Sequence, residues 1–284
     1  MTTKILALAM VILLGIAVPV LAGMETQNFD TSPSDWEARS VSSGSYSDIT
    51  GWSNTSYAGS AGEGHAQFHR LHSTGDGLNE NAAWYADRDL GGTLDYVSSR
   101  VLSATGSFYV KDFSAYPDLG AGMWLGWFHP GWGTRMGIML NDNGGAGLGW
   151  YAGIYNNWGA LIKQQFMGSV SAGIKYDFML EYDNLEGING VGRFVARITP
   201  EGYSAETAVL HLDNSLTNVD LNAFGLARPN PSLYEAGNGT NINIYVDDLA
   251  YTSNLTTPVP EPGTLAALAS GLIGIAGFGI RRRK

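Results

Sequence analysis

The chain has 284 residues, no cysteine, 38 glycines and a formal net charge of −10. The lack of cysteine excludes thiol catalysis, cysteine-based zinc sites and iron–sulfur clusters. Five of the 16 cations and one of the 26 acids lie in the two terminal segments, residues 1–22 and 255–284, so 11 cations and 25 acids give the central body a net charge of −14. Such a surface disfavours nucleic acid and anionic lipids, accepts neutral glycans and attracts Ca²⁺.

The first residues have the pattern of a secretory signal peptide. Lys4 supplies a positive charge, residues 5–18 are apolar, and Val20-Leu21-Ala22 precedes the expected cleavage position. We therefore predict a signal peptide over residues 1–22 and export of the segment that follows. An uncleaved anchor is the alternative, which the lack of stop-transfer charges after Ala22 disfavours.

Residues 23–254 have the pattern of an all-β domain. Runs rich in aromatic and β-branched residues recur about every 10 to 15 positions, and no helical period persists between them. The predicted strands cover residues 66–71, 102–110, 123–128, 135–140, 150–155, 160–167, 176–182, 193–199, 224–227 and 242–251. Turn signals at 156–159 and 183–192 join two strand pairs as hairpins. We predict one antiparallel β-sandwich.

Both ends of this body resemble a known fold family. The resemblance is to concanavalin A-like or laminin-G-like jelly rolls. It is carried by Phe29-Asp30 and Trp36 near the start and by the run Ile-Tyr-Val-Asp-Asp-Leu at 244–249. The resemblance implies that the first and last strands lie side by side, which would bring their acidic residues together.

Those acidic residues predict a Ca²⁺ site. Asp247 and Asp248 are adjacent, so strand alternation turns one of them toward an apolar face. Ca²⁺ binds carboxylates together with backbone carbonyls, and Glu25 or Asp30 could complete the ligand set. The alternative is a strand-end acid bonded to loop amides. A structural Ca²⁺ is the one cofactor that the sequence predicts.

One acidic run resembles the catalytic segment of family 16 glycoside hydrolases. The run has the pattern E-x-D-x-x-E, formed by Glu181, Asp183 and Glu186. The resemblance implies that Glu181 is the nucleophile, Asp183 an assisting acid and Glu186 the acid/base. Retention needs two carboxylates about 5 Å apart. Asn184 and the glycine-rich residues 187–190 depart from the family pattern, so we expect a solvated hairpin end and no enzyme.

A band of aromatic residues is the candidate glycan site. Five tryptophans fall between positions 124 and 158, and exposed rings stack on the apolar faces of sugars. Trp132 and Trp158 lie in glycine-flanked turns, and with Tyr155 they are the predicted glycan-binding residues. Trp124 and Trp127 lie on opposite faces of one strand, so at least one is buried. The alternative is that the whole band is sandwich core.

Three histidines invite a metal interpretation that the spacing does not favour. His65 and His69 share a face of the predicted strand, but His72 does not. We expect polar surface histidines.

The C-terminus has three parts in a fixed order. Residues 255–262 form a linker that contains Pro260-Glu261-Pro262, and residues 263–280 are uncharged. The terminal residues are Arg281, Arg282, Arg283 and Lys284. Eighteen helical residues span about 27 Å, enough for a thin bilayer, and the cations hold the end in the cytoplasm. We predict a transmembrane helix within 263–284.

This tail resembles the PEP-CTERM sorting signal of exopolysaccharide-producing bacteria. The resemblance implies an exosortase partner that cuts near Pro260-Glu261-Pro262, a temporary inner-membrane tether, and release to the cell surface or extracellular matrix. We therefore expect an exported, non-catalytic surface or matrix protein that binds exopolysaccharide or is structural. The alternatives are a family 16-like hydrolase and a purely structural adhesin.

Overall fold

The computed structural model describes residues 24–39, 41–43, 46–54, 64–71, 84–88, 90, 101–114, 123–130, 134–142, 148–156, 160–213, 221–227 and 241–253. These ranges hold 16 β strands and a single-turn 3-10 helix, Ile188–Gly190. The first eight strands are β1 (Met24–Gln27), β2 (Trp36–Arg39), β3 (Val41–Ser43), β4 (Tyr46–Ser53), β5 (His65–Leu71), β6 (Trp84–Asp87), β7 (Val101–Ser114) and β8 (Met123–Phe128). The others are β9 (Arg135–Asp142), β10 (Leu148–Tyr155), β11 (Leu161–Ser169), β12 (Ile174–Asp183), β13 (Arg193–Pro200), β14 (Glu206–His211), β15 (Ala223–Ala227) and β16 (Asn241–Thr252).

The strands form two antiparallel sheets. Sheet A has the order β14-β13-β12-β7-β16-β5-β4-β3, with β1 also paired to β16, and sheet B has the order β11-β10-β9-β8-β15-β6-β2. The prediction of an all-β antiparallel sandwich is confirmed. Met24 pairs with Thr252, so the first and last strands do lie side by side.

Alternating side chains of both sheets build the core. Along β12 the residues Tyr176, Phe178, Leu180 and Tyr182 are buried, while Asp177 and Glu181 between them are exposed. This period of two is what a strand with one covered face requires. The inner faces of both sheets contribute to one continuous hydrophobic cluster.

A buried polar network links the two sheets. The Tyr251 hydroxyl on β16 donates to the Asp87 carboxylate on β6 at 2.9 Å, and Trp36 Nε1 on β2 donates to the same hydroxyl at 3.3 Å. Phe224 stacks on the Tyr251 ring with centroids 4.4 Å apart. Burial, and next the charge of Asp87, raise the pKa of Tyr251, so the hydroxyl stays a donor.

Sheet B contains a row of small residues that crosses five strands. Each residue of the row pairs in register with the next one on the adjacent strand. The row consists of Ala86 on β6, Gly225 on β15, Gly126 on β8, Gly137 on β9 and Gly153 on β10. A methyl group on Gly126 would lie 2.4 Å from the Met136 carbonyl oxygen, and one on Gly137 would lie 2.3 Å from the Leu125 carbonyl oxygen. The central strands therefore approach more closely than any side chain would allow.

Removing the Tyr251 hydroxyl should destabilise the sandwich. Tyr251→Phe takes away the donor to the buried Asp87 carboxylate, and such a loss costs about 1–3 kcal/mol. Urea unfolding followed by tryptophan fluorescence measures the change, with the exposed Tyr203→Phe as the matched control. Equal unfolding free energies for the two variants would contradict a stabilising role of the network.

The glycine row predicts two unequal alanine substitutions. Gly126 has φ 149° and no room for a methyl group, so Gly126→Ala should cost about 1–3 kcal/mol from overpacking, plus backbone strain. At Gly153 the nearest atom to an added methyl group is the Tyr155 ring edge at 3.2 Å, which can give way. Gly153→Ala should therefore unfold at a higher urea concentration than Gly126→Ala, and the reverse order would contradict this packing.

Candidate functional site

The row of small residues is the floor of a furrow on the outer face of sheet B. Strand alternation places it there, because neighbouring residues such as Leu125, Trp127 and Ile138 belong to the core between the sheets. Four strand spacings give the floor a length of about 19 Å. With nothing larger than a methyl group along it, the floor lies lower than the side chains on either side, and all five of its residues are buried.

Two rows of larger side chains border the floor and form its walls. One wall runs in register from Trp84 through Ala227, Trp124 and Met139 to Tyr151 and Phe166. The other wall consists of Phe128, Arg135 and Tyr155, continued by Leu161. Many of these residues form a second hydrophobic cluster, separate from the main core. The outer face of sheet B is thus aromatic where a solvated sheet face would be polar.

Arg135 is the charged group at the centre of the furrow. Its guanidinium carbon lies 3.8 Å from the Tyr155 ring centroid and 5.7 Å from that of Trp124, so it reaches from one wall toward the other. A second cation, Arg88, lies 5.1 Å from the Trp84 ring and forms a 2.8 Å ion pair with Glu37. A guanidinium is planar and combines ring contacts through its face with hydrogen bonding through its edge.

The furrow is most accessible at strands β10 and β11. Trp124 is fully buried and Tyr155 is 9% exposed, whereas Tyr151 is half-buried and Phe166 is 45% exposed. The Tyr155 hydroxyl donates to Gln164 Oε1 at 3.2 Å, which places an exposed amide beside the floor. Rings for stacking, a guanidinium and an amide together suit a polyhydroxylated ligand.

The structure places one of the three predicted glycan-binding residues in this furrow. Tyr155 lies in its wall, while Trp132 and Trp158 lie outside the described residues. Trp124 and Trp127 are both fully buried, on opposite faces of β8: Trp124 lines the furrow, and Trp127 donates to the Thr252 carbonyl at 3.3 Å. The band is therefore divided between core and furrow, and neither interpretation of it covers every member.

Sequence reasoning missed the glycine row and Arg135. The available signal was a glycine at the middle of four separate strands, at 126, 137, 153 and 225. Strand-interior glycines mark a close approach of a ligand or another backbone. Their alignment in one row depends on the register, which the sequence does not state.

The acidic run lies on the other sheet. Glu181 is exposed on the outer face of sheet A, at the end of β12. Asp183 Oδ1 accepts a hydrogen bond from Leu185 N at 2.8 Å, and Glu186 forms an ion pair with Arg193. Two of the three carboxylates thus hold the β12–β13 hairpin, as expected for a solvated hairpin end.

Three of the four predicted calcium ligands accept hydrogen bonds from separate partners. Glu25 accepts a hydrogen bond from Ser253 Oγ at 3.3 Å, Asp30 accepts one from the Asn28 amide, and Asp247 accepts one from Asp248 N at 2.8 Å. A bulge between Asp247 and Ala250, with Asp248 at φ 53°, breaks the alternation that would have turned an acid toward the core. Among the described residues no group of three or more metal-binding side chains occurs. Calcium binding stays a prediction.

The expectation of surface histidines is wrong for His65. Its ring is fully buried on the outer face of sheet A, 4.2 Å from the Tyr245 ring, because β5 packs next to β16 at the centre of that sheet. The His69 side chain and His72 lie outside the described residues.

The predicted targeting segments lie outside the described residues. These are the signal peptide at 1–22, the sorting residues Pro260, Glu261 and Pro262, and the basic end with Arg281, Arg282 and Arg283. Within the described ranges, no helix has the length and apolarity needed to cross a bilayer.

Solved structures with a similar fold include enzymes and lectins. A PL-14 alginate lyase from Aplysia kurodai matches 81% of this chain and 99% of its own at a TM-score of 0.51 and 9% identity. An alginate lyase from Klebsiella pneumoniae matches 67% of this chain and 82% of its own at 0.43 and 8% identity. Lectin I of Ulex europaeus matches 83% of this chain and 100% of its own at 0.45 and 11% identity.

These similarities correct one expectation. The prediction that the chain is not an enzyme is wrong, because a similar sandwich occurs in an alginate lyase and the fold therefore does not exclude catalysis. At 9% identity this likeness shows the fold alone, a sandwich of two antiparallel sheets.

Sequence comparison identifies only the end of the chain. No curated protein sequence matches it. Residues 258–284 match the PEP-CTERM protein-sorting motif, so the chain carries the sorting signal of an exosortase substrate.

Proposed function

We propose that the exported body binds a linear polysaccharide along the furrow of sheet B. The observation that carries this proposal is the floor of small residues in register, bordered on both sides by aromatic rings and by Arg135. An aromatic face that follows the row for about 19 Å suits an extended chain of sugars better than a single sugar. The sorting signal leads us to expect a protein of the cell surface or extracellular matrix, where polysaccharides are available as ligands.

The chemistry of the walls supports a sugar ligand. Aromatic rings stack on the apolar face of a pyranose at a low entropy cost, since they have only two side-chain torsions. Arg135 and Gln164 add donors and acceptors for hydroxyl or carboxylate groups. Trp124 of one wall contacts Tyr155 of the other in a T-shaped arrangement at 6.0 Å, so the two walls meet above the centre of the row and form a ring surface before a ligand arrives.

Cleavage of the bound polysaccharide is the second candidate. One observation favours it: the Arg135 guanidinium lies over the Tyr155 ring, 3.8 Å from the ring centroid, and the hydroxyl of that ring bonds to the exposed Gln164. A guanidinium can neutralise the carboxylate of an acidic sugar, and a phenol in reach of the ligand can exchange a proton with it. The family 16-like carboxylates lie on the opposite sheet and cannot act in this furrow.

Filling the floor should abolish binding. Gly153→Leu places a large side chain above the floor, and Gly153→Ala places a small one there. Gly153→Leu should therefore weaken binding more than Gly153→Ala does. Purified full-length chain in a non-glycosidic detergent is titrated by calorimetry against neutral β-glucans and against polyuronates. Reducing ends are counted after incubation, so that cleavage is recorded with binding.

Thr105→Leu is the matched control, because it adds a similar side chain to the exposed outer face of sheet A. A thermal melt of each variant confirms folding. Equal affinity of Gly153→Leu and Thr105→Leu for the same polysaccharide would contradict the furrow as the site. Repeating the titration with EDTA tests whether a Ca²⁺ contributes to binding.

We also propose that the tail is a temporary tether. In a host that contains an exosortase, intact mass analysis should find a surface product that lacks the basic end at 281–284. In a strain without exosortase, the chain should keep that end and stay in the inner membrane. A mature product that retains residues 281–284 in both strains would contradict processing.

A further inference from the structure

Phe166 is an aromatic residue whose exposure the fold does not require. It lies on β11, the edge strand of sheet B, on the same face as the furrow, and 45% of it is exposed. Its neighbours in that wall, Trp124 and Met139, are buried. With 45% of the residue exposed, the ring forgoes roughly half of the about 1.5–3 kcal/mol that full burial would contribute, and it leaves an aromatic surface open to a ligand.

The ring is nevertheless held in one place. It contacts Tyr151 in a T-shaped arrangement with centroids 5.3 Å apart. Gly149 on the adjacent strand leaves the space that the ring occupies, since a methyl group there would lie 2.6 Å from Phe166 Cε2. A ring that is fixed before binding loses little conformational entropy when a ligand stacks on it.

Its position continues the furrow by one strand. Phe166 pairs with Tyr151, Tyr151 with Met139, and Met139 with Trp124, so the ring extends this wall about 4.8 Å beyond β10. Gln164, the partner of Gly153, extends the floor on the same strand with an exposed amide. The end of the furrow therefore carries a stacking surface beside a hydrogen-bonding group.

We infer that Phe166 and Gln164 form an outer subsite that holds one sugar residue beyond those lying over the row of small residues. This inference rests on the proposed polysaccharide binding and adds a chain-length requirement to it. A pyranose unit is about as long as one strand spacing, so the row accommodates about four sugars and the subsite takes the next. Oligosaccharides too short to reach β11 gain nothing from Phe166.

Size-fractionated β-glucan and uronate oligosaccharides test the subsite on the full-length chain in non-glycosidic detergent. Phe166→Ala should weaken binding of oligomers of about eight sugars by about five- to tenfold, the value of one stacked ring, and leave oligomers of about three sugars unchanged. Phe166→Tyr keeps the ring and should bind both lengths as the natural chain does. Tyr203→Ala, which removes another exposed ring in the turn between β13 and β14, should have no effect.

Gly149→Ala is a second variant that leaves Phe166 itself intact. The added methyl group displaces the ring, so this variant should reproduce the length-dependent loss seen with Phe166→Ala. Equal losses for short and long oligomers, or no loss for either, would overturn the outer subsite. So would a change from dimer to monomer on Phe166→Ala in sedimentation analysis, since the ring would then serve a contact between two copies.

The same titrations separate failure of the subsite from failure of the furrow. If the natural chain binds long oligomers and Gly153→Leu does not, the furrow stands whatever Phe166→Ala shows. If the natural chain binds no oligosaccharide of either class, the furrow and its outer subsite are both overturned.

Discussion

The close approach of backbones along the row of small residues determines both the packing of sheet B and the shape of its outer face. A methyl group added to Gly126, Gly137 or Gly225 would lie 2.4, 2.3 or 2.4 Å from a carbonyl oxygen of the neighbouring strand. Since no side chain fits there, the strands approach closely, and the row, although buried, contributes nothing larger than a methyl group to the outer face. One constraint on the backbone thus produces the channel, and the side chains two positions away become its walls.

The strands that carry this row are buried on both faces, which is unusual for an antiparallel sandwich. Every residue of β6, β8 and β15 is buried. In most antiparallel sheets one face packs on the core and the other is solvated. Here Trp127 and Leu125 fill the core while Trp124 and Phe128 pack on the outer face. Sheet B therefore has a second buried apolar layer on its outer face, separate from the core between the sheets.

The sequence predicts the strands well because alternation is local, but it does not predict the site. Residues 123–128 and 176–182 are recognisable as strands from their side chains alone. The row of small residues forms only when β15, distant in sequence, inserts beside β8, and that pairing depends on the register of two sheets. Likewise, the alternation of side chains along a strand does not predict the bulge that turns Asp248 outward. Local chemistry therefore located Tyr155 but could not find Arg135 as its partner.

Electrostatic attraction acts over a longer distance than ring stacking, and the two interactions would therefore contribute differently to the choice of ligand in the furrow. The body carries −14, yet at physiological ionic strength charges more than about 8 Å apart in water are largely screened. Arg135 lies against two rings and is only partly exposed, so a ligand in the channel meets its charge at short range. The distant acids slow the approach of a polyanion without cancelling this contact. Under the proposed function, stacking sets how tightly a sugar chain is held, while Arg135 sets which sugars are preferred at the centre.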